Sequence, residues 1–301
     1  MTLPPFLQAG DKIAMVSVAG KIQHEPVEKA RHLLEEERFI VEMGQHAFDD
    51  FHMFAGTDND RAHDMQNALD DPEIRAILFT RGGYGSIRTL SLLDWSGFFK
   101  NPKWLIGFSD ITVFHSFLTS REVASIHGVM TSFFFENGIR TASLDRLLSL
   151  LRGTPQEYQI QPNILNRPGQ ASGILVGGNL SLLLSLRGTE IDLSLDGKVL
   201  FIEDIGEYDY HIDRMMMNLK YGGWLSKLSG LIVGYFTDTK TSQTSFGKSA
   251  NEIIHDAIEG YDFPVIFDFP AGHELPNYPL VMGNGISIKV TNETVLVKQS
   301  L

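Results

Sequence analysis

The residues able to do chemistry in this chain begin with Ser109. From Lys103 to Phe114 the sequence reads KWLIGFSDITVF, an apolar run ending at Gly107, then Phe108 and Ser109, then helix-type apolar spacing. This predicts a strand, a sharp turn carrying Ser109, and a helix. Such a turn holds a hydroxyl out at a strand's carboxyl end, beside the N–H groups of the new helix. The geometry suits a nucleophile. It equally suits a helix cap, and the G-x-S-x-G pattern of α/β-hydrolases is not met, because Ile111 stands where the second glycine belongs.

A serine nucleophile needs a base within hydrogen-bond reach and a carboxylate to hold that base's tautomer. Glu203 follows the apolar run Val199 to Ile202, and His273 follows Pro270-Ala271-Gly272, a loop suited to holding a base. Nine other histidines compete, ten in all. His24, His32 and His63 fall on polar helix faces and His255 in an ordinary helix. His115 is placed as a packed core group, His127 as a strand end lining the cleft, and His211 as a surface or capping residue. His46 and His52, with Asp49 and Asp50, share a loop and make a loose metal-site alternative. The run Arg81-Gly82-Gly83-Tyr84-Gly85 follows a buried strand, where bare backbone N–H groups cradle an anion. The same run reads as a tight strand-to-helix turn. It lacks the Lys-Ser/Thr of a P-loop, and no G-x-G-x-x-G follows the first strand.

The elements that must position these residues alternate. Strands are predicted at Lys12 to Val18, Phe39 to Glu42, Ala76 to Phe79, the run before Ser109, and Ala124 to Ile126. Helices are predicted at His24 to Arg38, from Thr57-Asp58 onward, at Ile87 to Leu93, after Ser109, and at Leu144 to Leu151. The βαβα rhythm implies an α/β fold: an N-terminal, doubly wound, mostly parallel sheet. Ligands bind such sheets at the strands' carboxyl ends, where Arg81 to Gly85 and Ser109 both fall. From Arg152 to Gly173 the chain is rich in Pro, Asn and Gln, a linker or a crossing β segment. The domain boundary is placed there, giving 1–160 and 161–301. The second, smaller α/β domain holds strands at Gly173 to Val176, Val199 to Ile202, Leu231 to Val233 and Val265 to Phe267. Its helices are at Ser181 to Leu186, Tyr208 to Leu219 and Gly247 to Ile258, and its tail from Ile286 to Val297 alternates like antiparallel strands.

Bulk properties remove whole classes of function. With 43% hydrophobic and 21% charged residues over 301, the chain is globular and long enough for two domains. A net charge of −12 argues against nucleic acid as partner. The absence of cysteine excludes disulfides, thiolate metal sites and a cysteine nucleophile. No signal peptide and no membrane-spanning run is evident, so a soluble cytoplasmic protein is expected.

Taken together, Arg81-Gly82-Gly83-Tyr84-Gly85, Gly107-Phe108-Ser109-Asp110, Gly177-Gly178-Asn179-Leu180, Leu200 to Asp204 and Ala271-Gly272-His273 resemble, in order, the motifs of the LD-carboxypeptidase family, the muramoyltetrapeptide carboxypeptidases. The likeness runs from Gly10-Asp11 to about Gly285. It implies a two-domain serine peptidase with a Ser-Glu-His triad: Ser109 as nucleophile, His273 as general base and then acid, Glu203 orienting His273. The backbone N–H groups of Gly83 and Asp110 would form the oxyanion hole, and Arg81, Tyr84 and Asn179 would contact substrate. No cofactor and no metal is implied. The implied reaction is release of the terminal D-alanine from a cytoplasmic murein tetrapeptide in peptidoglycan recycling, by a homodimer. The same scaffold serves microcin C immunity proteins, which cut peptidyl adenylates. The absence of tryptophan between Trp104 and Trp224 favours the murein peptide, while Phe133-Phe134-Phe135 leaves the adenylate open. A non-catalytic anion- or nucleotide-binding domain is the third reading. One departure is Val16-Ser17-Val18-Ala19-Gly20, where an Ala-Pro-Ser-like segment is expected.

Overall fold

Apolar periodicity builds the first half as expected. The computed structural model describes residues 1–299 and 301. Strands β1 (Lys12–Val16), β2 (Ile40–Met43), β3 (Ile74–Phe79), β4 (Trp104–Gly107) and β5 (Ser125–His127) form one sheet, all parallel. Helices α1 (His24–Glu36), α2 (Asp58–Asp70), α3 (Ser86–Leu90), α4 (Ser96–Lys100) and α5 (Thr112–Ser120) connect them. α1 buries Val27, Ala30, Leu33 and Leu34, the stripe its spacing prescribes. α2 begins on a capping box in which Thr57 and Asp60 satisfy each other's backbone N–H.

After a short hairpin, β6 (Phe135–Glu136) and β7 (Ile139–Arg140), and helix α6 (Ala142–Leu151), the chain enters the second sheet. This holds β8 (Gln156–Ile160), β9 (Gly169–Asn179), β10 (Val199–Ile205), β11 (Gly230–Thr237) and β12 (Val265–Ile266). Helices α7 (Leu180–Ser185), α8 (Asp209–Tyr221) and α9 (Ala250–Ala257) flank it. Then come β13 (Leu280–Met282), β14 (Gly285–Val290) and β15 (Val295–Gln299). The first sheet runs β13-β5-β4-β3-β1-β2 and the second β12-β11-β10-β9-β14-β15-β8. β9 to β12 are parallel, whereas β14, β15 and β8 pair antiparallel. The α/β class with parallel-rich sheets in two domains is thus what the chain adopts.

Of the two readings of the polar stretch after Arg152, the β segment is what forms: it contains β8, which pairs with β15 in the second sheet. Two differences from the sequence expectations matter. β13 crosses back to pair antiparallel with β5 at the edge of the first sheet. Gly177 and Gly178 do not end β9, because pairing with β10 continues to Glu203 opposite Asn179. The glycines serve proximity: a Cβ at Gly177 would fall 1.9 Å from the Phe201 carbonyl oxygen, and one at Gly178 2.5 Å from Thr112 Oγ1 on α5.

Candidate active site

Ser109 sits between β4 and α5 at φ +64°, in the left-handed region that a β-carbon disfavours. Phe108 before it is extended, and a single 3₁₀ turn, Ser109–Ile111, follows before α5. Gly107 is needed for the bend, since a Cβ there would lie 2.9 Å from Ile111 Cγ1. The strand-turn-helix reading of this stretch is what the chain builds, with the hydroxyl at the strand's carboxyl end.

Two elements of the second half meet that hydroxyl. His273 Nε2 lies 2.8 Å from Ser109 Oγ, and its Nδ1 lies 2.7 Å from Glu203 Oε2. Glu203 is fully buried near the end of β10, and the His273 side chain is 11% exposed. Burial alone would depress the imidazole pKa. The charge and hydrogen bond of Glu203, with Asp204 beside it, outweigh burial and hold the pKa above its ordinary value. The loop carrying His273 is pinned to β11 by Tyr235 N–H donating to the Ala271 carbonyl. Gly272, at φ +136°, passes so close to Glu203 that a Cβ would lie 3.2 Å from Oε2. Gly272 N–H donates to Asn277 Oδ1, and Asn277 N–H donates to Ser143 Oγ on α6. Phe108 packs edge-on against the His273 ring, centroids 5.0 Å apart.

The glycine run lies directly over the serine. A Cβ on Gly82 would come within 3.0 Å of Ser109 Cβ and 3.4 Å of Asp110 N. Gly83 takes φ +108°, and the run is braced by Gly20 N–H donating to the Gly82 carbonyl. A role for the Asp110 side chain escaped the sequence reading. Its buried carboxylate accepts from Ser86 N–H at the start of α3, tying the glycine run to the serine turn. Burial pushes its pKa up, against that hydrogen bond. A signal existed in the acidic residue directly after the serine, but its partner across the sheet did not.

Arg81, Gly82, Gly83, Phe108, Ser109 and His273 line a cleft of about 450 Å³, with Phe133 and Ile205 on other walls. Arg81 donates from Nη1 to the Lys21 carbonyl. Tyr84 is exposed near Phe54, centroids 6.1 Å apart, and is not among the cleft-lining residues. Asn179 is buried, its amide donating to Asp204 Oδ1 and its oxygen accepting from Leu182 N–H and Ser181 Oγ. Its hydrogen bonds therefore point inward, behind Glu203. Asp204, held by Asn179 and Ser181, is pushed up to about 7 by burial first and the Glu203 charge second.

The remaining histidines sort by environment. His115 is core, bonded to Ser125 Oγ and the Gly107 carbonyl, and burial lowers its pKa to about 4. His127 does not line the cleft. It is fully buried between Phe108 and Phe201, and burial holds it neutral. His211 pairs with Glu207 on the surface. In the loop after β2, His46 bonds Asp49, but Asp50 pairs with Lys21 and His52 packs edge-on against Phe51, so the four expected metal ligands do not converge.

The two-domain α/β fold and its cleft fit a serine hydrolase, and comparison with known proteins makes the assignment specific. Residues 13–128 match the LD-carboxypeptidase N-terminal domain and residues 172–288 the LD-carboxypeptidase C-terminal domain. The chain belongs to the LD-carboxypeptidase family and is a serine-type peptidase. It is 31% identical over 300 residues to a probable murein peptide carboxypeptidase of Bacillus subtilis (strain 168), covering 98% of this chain and 94% of that one. It superimposes on the crystal structure of muramoyltetrapeptide carboxypeptidase from Oxalobacter formigenes with a TM-score of 0.88, at 25% identity, covering 96% of this chain and 99% of that chain. It shares the fold of microcin C7 self immunity protein MccF in complex with aspartyl sulfamoyl adenosine, with a TM-score of 0.88 at 21% identity, covering 100% and 99%. No helix among the described residues is long and apolar enough to cross a membrane.

Proposed function

We propose that this carboxypeptidase releases the terminal D-alanine of a murein tetrapeptide by acyl transfer through Ser109. The observation that carries the reading is the unbroken contact from Glu203 through His273 to Ser109, which opens on a cleft roofed by the glycine run. Ser109 Oγ attacks the amide carbonyl carbon while His273 Nε2 takes its proton, general-base help worth roughly 10²–10⁴-fold. Glu203 holds Nδ1–H and stabilises the imidazolium. The N–H groups of Gly83 and Asp110 receive the oxyanion, each costing about 3 kcal/mol if lost. His273 returns the proton to the departing D-alanine nitrogen, leaving an acyl ester on Ser109. Water, deprotonated by His273, then cleaves that ester and frees the tripeptide.

Exopeptidase action requires a partner for the substrate's terminal carboxylate. We assign this to Arg81, the cation lining the cleft. Tyr84, on the same run, supplies outer contact, and Asn179 acts from behind by fixing Asp204 and the end of β10. A cytoplasmic homodimer working in peptidoglycan recycling completes the reading. Chromatographic detection of D-alanine from a tetrapeptide tests it: wild type releases D-alanine and Ser109→Ala does not, while both unfold alike. More than a few per cent residual turnover in Ser109→Ala would sink the triad.

Cleavage of peptidyl adenylates is the second reading, and one observation favours it. Phe133 stands in the cleft wall, edge-on to Phe108 at 5.3 Å, and presents an aromatic surface to a base. Faster turnover of a peptidyl adenylate than of the tetrapeptide would reverse the order of the two.

A further inference from the structure

Among the described residues, a second cluster of chemistry-bearing side chains lies away from the cleft, where the segment after β2 meets α2. One ring nitrogen each from His46 and His63 and one carboxylate oxygen of Asp64 lie within 4.8 Å of one another. The Asp64 side chain is 1% exposed. Its Oδ2 accepts from His46 N–H at 2.7 Å, while its buried Oδ1 has no hydrogen-bond partner. The nearest candidate, His63 Nδ1, stands 3.6 Å from Oδ1, too far for a hydrogen bond. That separation has another meaning. Two ligand atoms bound to one tetrahedral zinc, at bonds of roughly 2.0–2.1 Å, stand about 3.4 Å apart.

The surroundings suit an ion. His46 Nδ1 is 2.8 Å from Asp49 Oδ2, the carboxylate–histidine pairing that orients a metal-binding imidazole. A Cβ on Gly44 would lie 2.5 Å from Asp64 Oδ2, so only glycine leaves room for this carboxylate under the loop. Burial pushes the Asp64 carboxyl up, opposed by the His46 N–H and by both histidines, and an added cation would reverse the push. His63, 52% exposed and within hydrogen-bond reach of Asn67 Nδ2, would give up that contact to close the set.

From the orphaned, buried Asp64 oxygen beside His63, with a His46 ring nitrogen within 4.8 Å of the same carboxylate, we infer a site for one divalent transition-metal ion of the zinc class, ligated by His46, His63 and Asp64 with water in the fourth position. None of these residues lines the Ser109 cleft. The ion would tie the loop after β2 to α2. That loop carries Phe54, which packs against Tyr84 and lies 3.3 Å from where a Cβ on Gly85 would be. The site is therefore structural, a fastening behind the glycine run, and independent of the proposed reaction.

Chelator-stripped full-length protein titrated with Zn²⁺ against a chromophoric chelator, and with Co²⁺ followed by visible absorption, tests the site. Wild type is expected to bind one equivalent and to give the intense spectrum of tetrahedral cobalt. Exposed His63→Asn keeps the fold and should weaken binding by more than the roughly 10–100-fold that an outer-shell partner carries. Asp64→Asn should do the same, and His273→Ala should bind like wild type. Absence of a stoichiometric site in wild type, unchanged affinity in His63→Asn, or loss of binding in His273→Ala would each overturn the inference.

Discussion

At the scale of single residues, the site depends on a proton held in one place. Glu203 and Asp204 raise the His273 pKa above its ordinary value despite burial, so the neutral base is lost as pH falls through that raised value. The acid limb of kcat/KM is expected at an apparent pKa above the usual histidine value of about 6.5. Glu203→Gln should move that limb to lower pH and cut kcat by on the order of 10²–10⁴-fold. A limb left in place would show that another group titrates. The same raised pKa contributes stability that is fully present below the unfolded histidine value and is lost as pH rises through the folded one. Gly272 is the second sensitive position. Gly272→Ala imposes φ +136° on a residue with a Cβ and drives that carbon to 3.2 Å from Glu203 Oε2. The expected cost is on the order of 1–3 kcal/mol in denaturant unfolding, with kcat falling as His273 shifts.

Elements position these residues through close backbone approach. β9 reaches α5 only because Gly178 has no side chain, and Asn179 N–H then donates to Thr112 Oγ1 at 2.9 Å. Gly178→Ala, at φ +137°, would put its Cβ 2.5 Å from that same oxygen. Loss of about 1–3 kcal/mol is expected, read as a lower denaturant midpoint. Loss of the α2 cap is milder: Thr57→Ala should cost about 1 kcal/mol, because one N-terminal donor loses its acceptor. These elements differ in legibility. The α1 stripe, the Thr57 start and the turn at Ser109 are written in local spacing and cap chemistry. β8 was legible only as an alternative to a linker, because its alternation sits among prolines and asparagines, and its strand state comes from pairing with β15. The Gly177-Gly178 doublet reads locally as a strand end, and only the partner β10 shows it to be strand.

In the whole molecule, the two sheets are interlocked by the chain. β13, from the C-terminal third, completes the first sheet beside β5, and the His273 loop anchors on Ser143 through Asn277. Unfolding is therefore expected to be one cooperative event. Variants retaining only Trp104, in the core of the first sheet, or only Trp224, in that of the second, should give coincident fluorescence transitions. Two separated midpoints would mean independent domains. The sequence by itself determined the α/β class, the serine turn and, through five ordered motifs, the family and the three residues proposed as its triad, because each rests on local spacing or residue type. Tertiary structure alone decided that Ser109, Glu203 and His273 touch, that His127 is buried beneath the cleft and Asn179 turned away from it, and that Asp110 braces the glycine run. It also decided that Asp64, an unremarked helix residue, leaves a bare oxygen beside His63 in a carboxylate that His46 N–H also reaches. Contacts between residues far apart in the chain depend on packing and burial, and no local pattern encodes either.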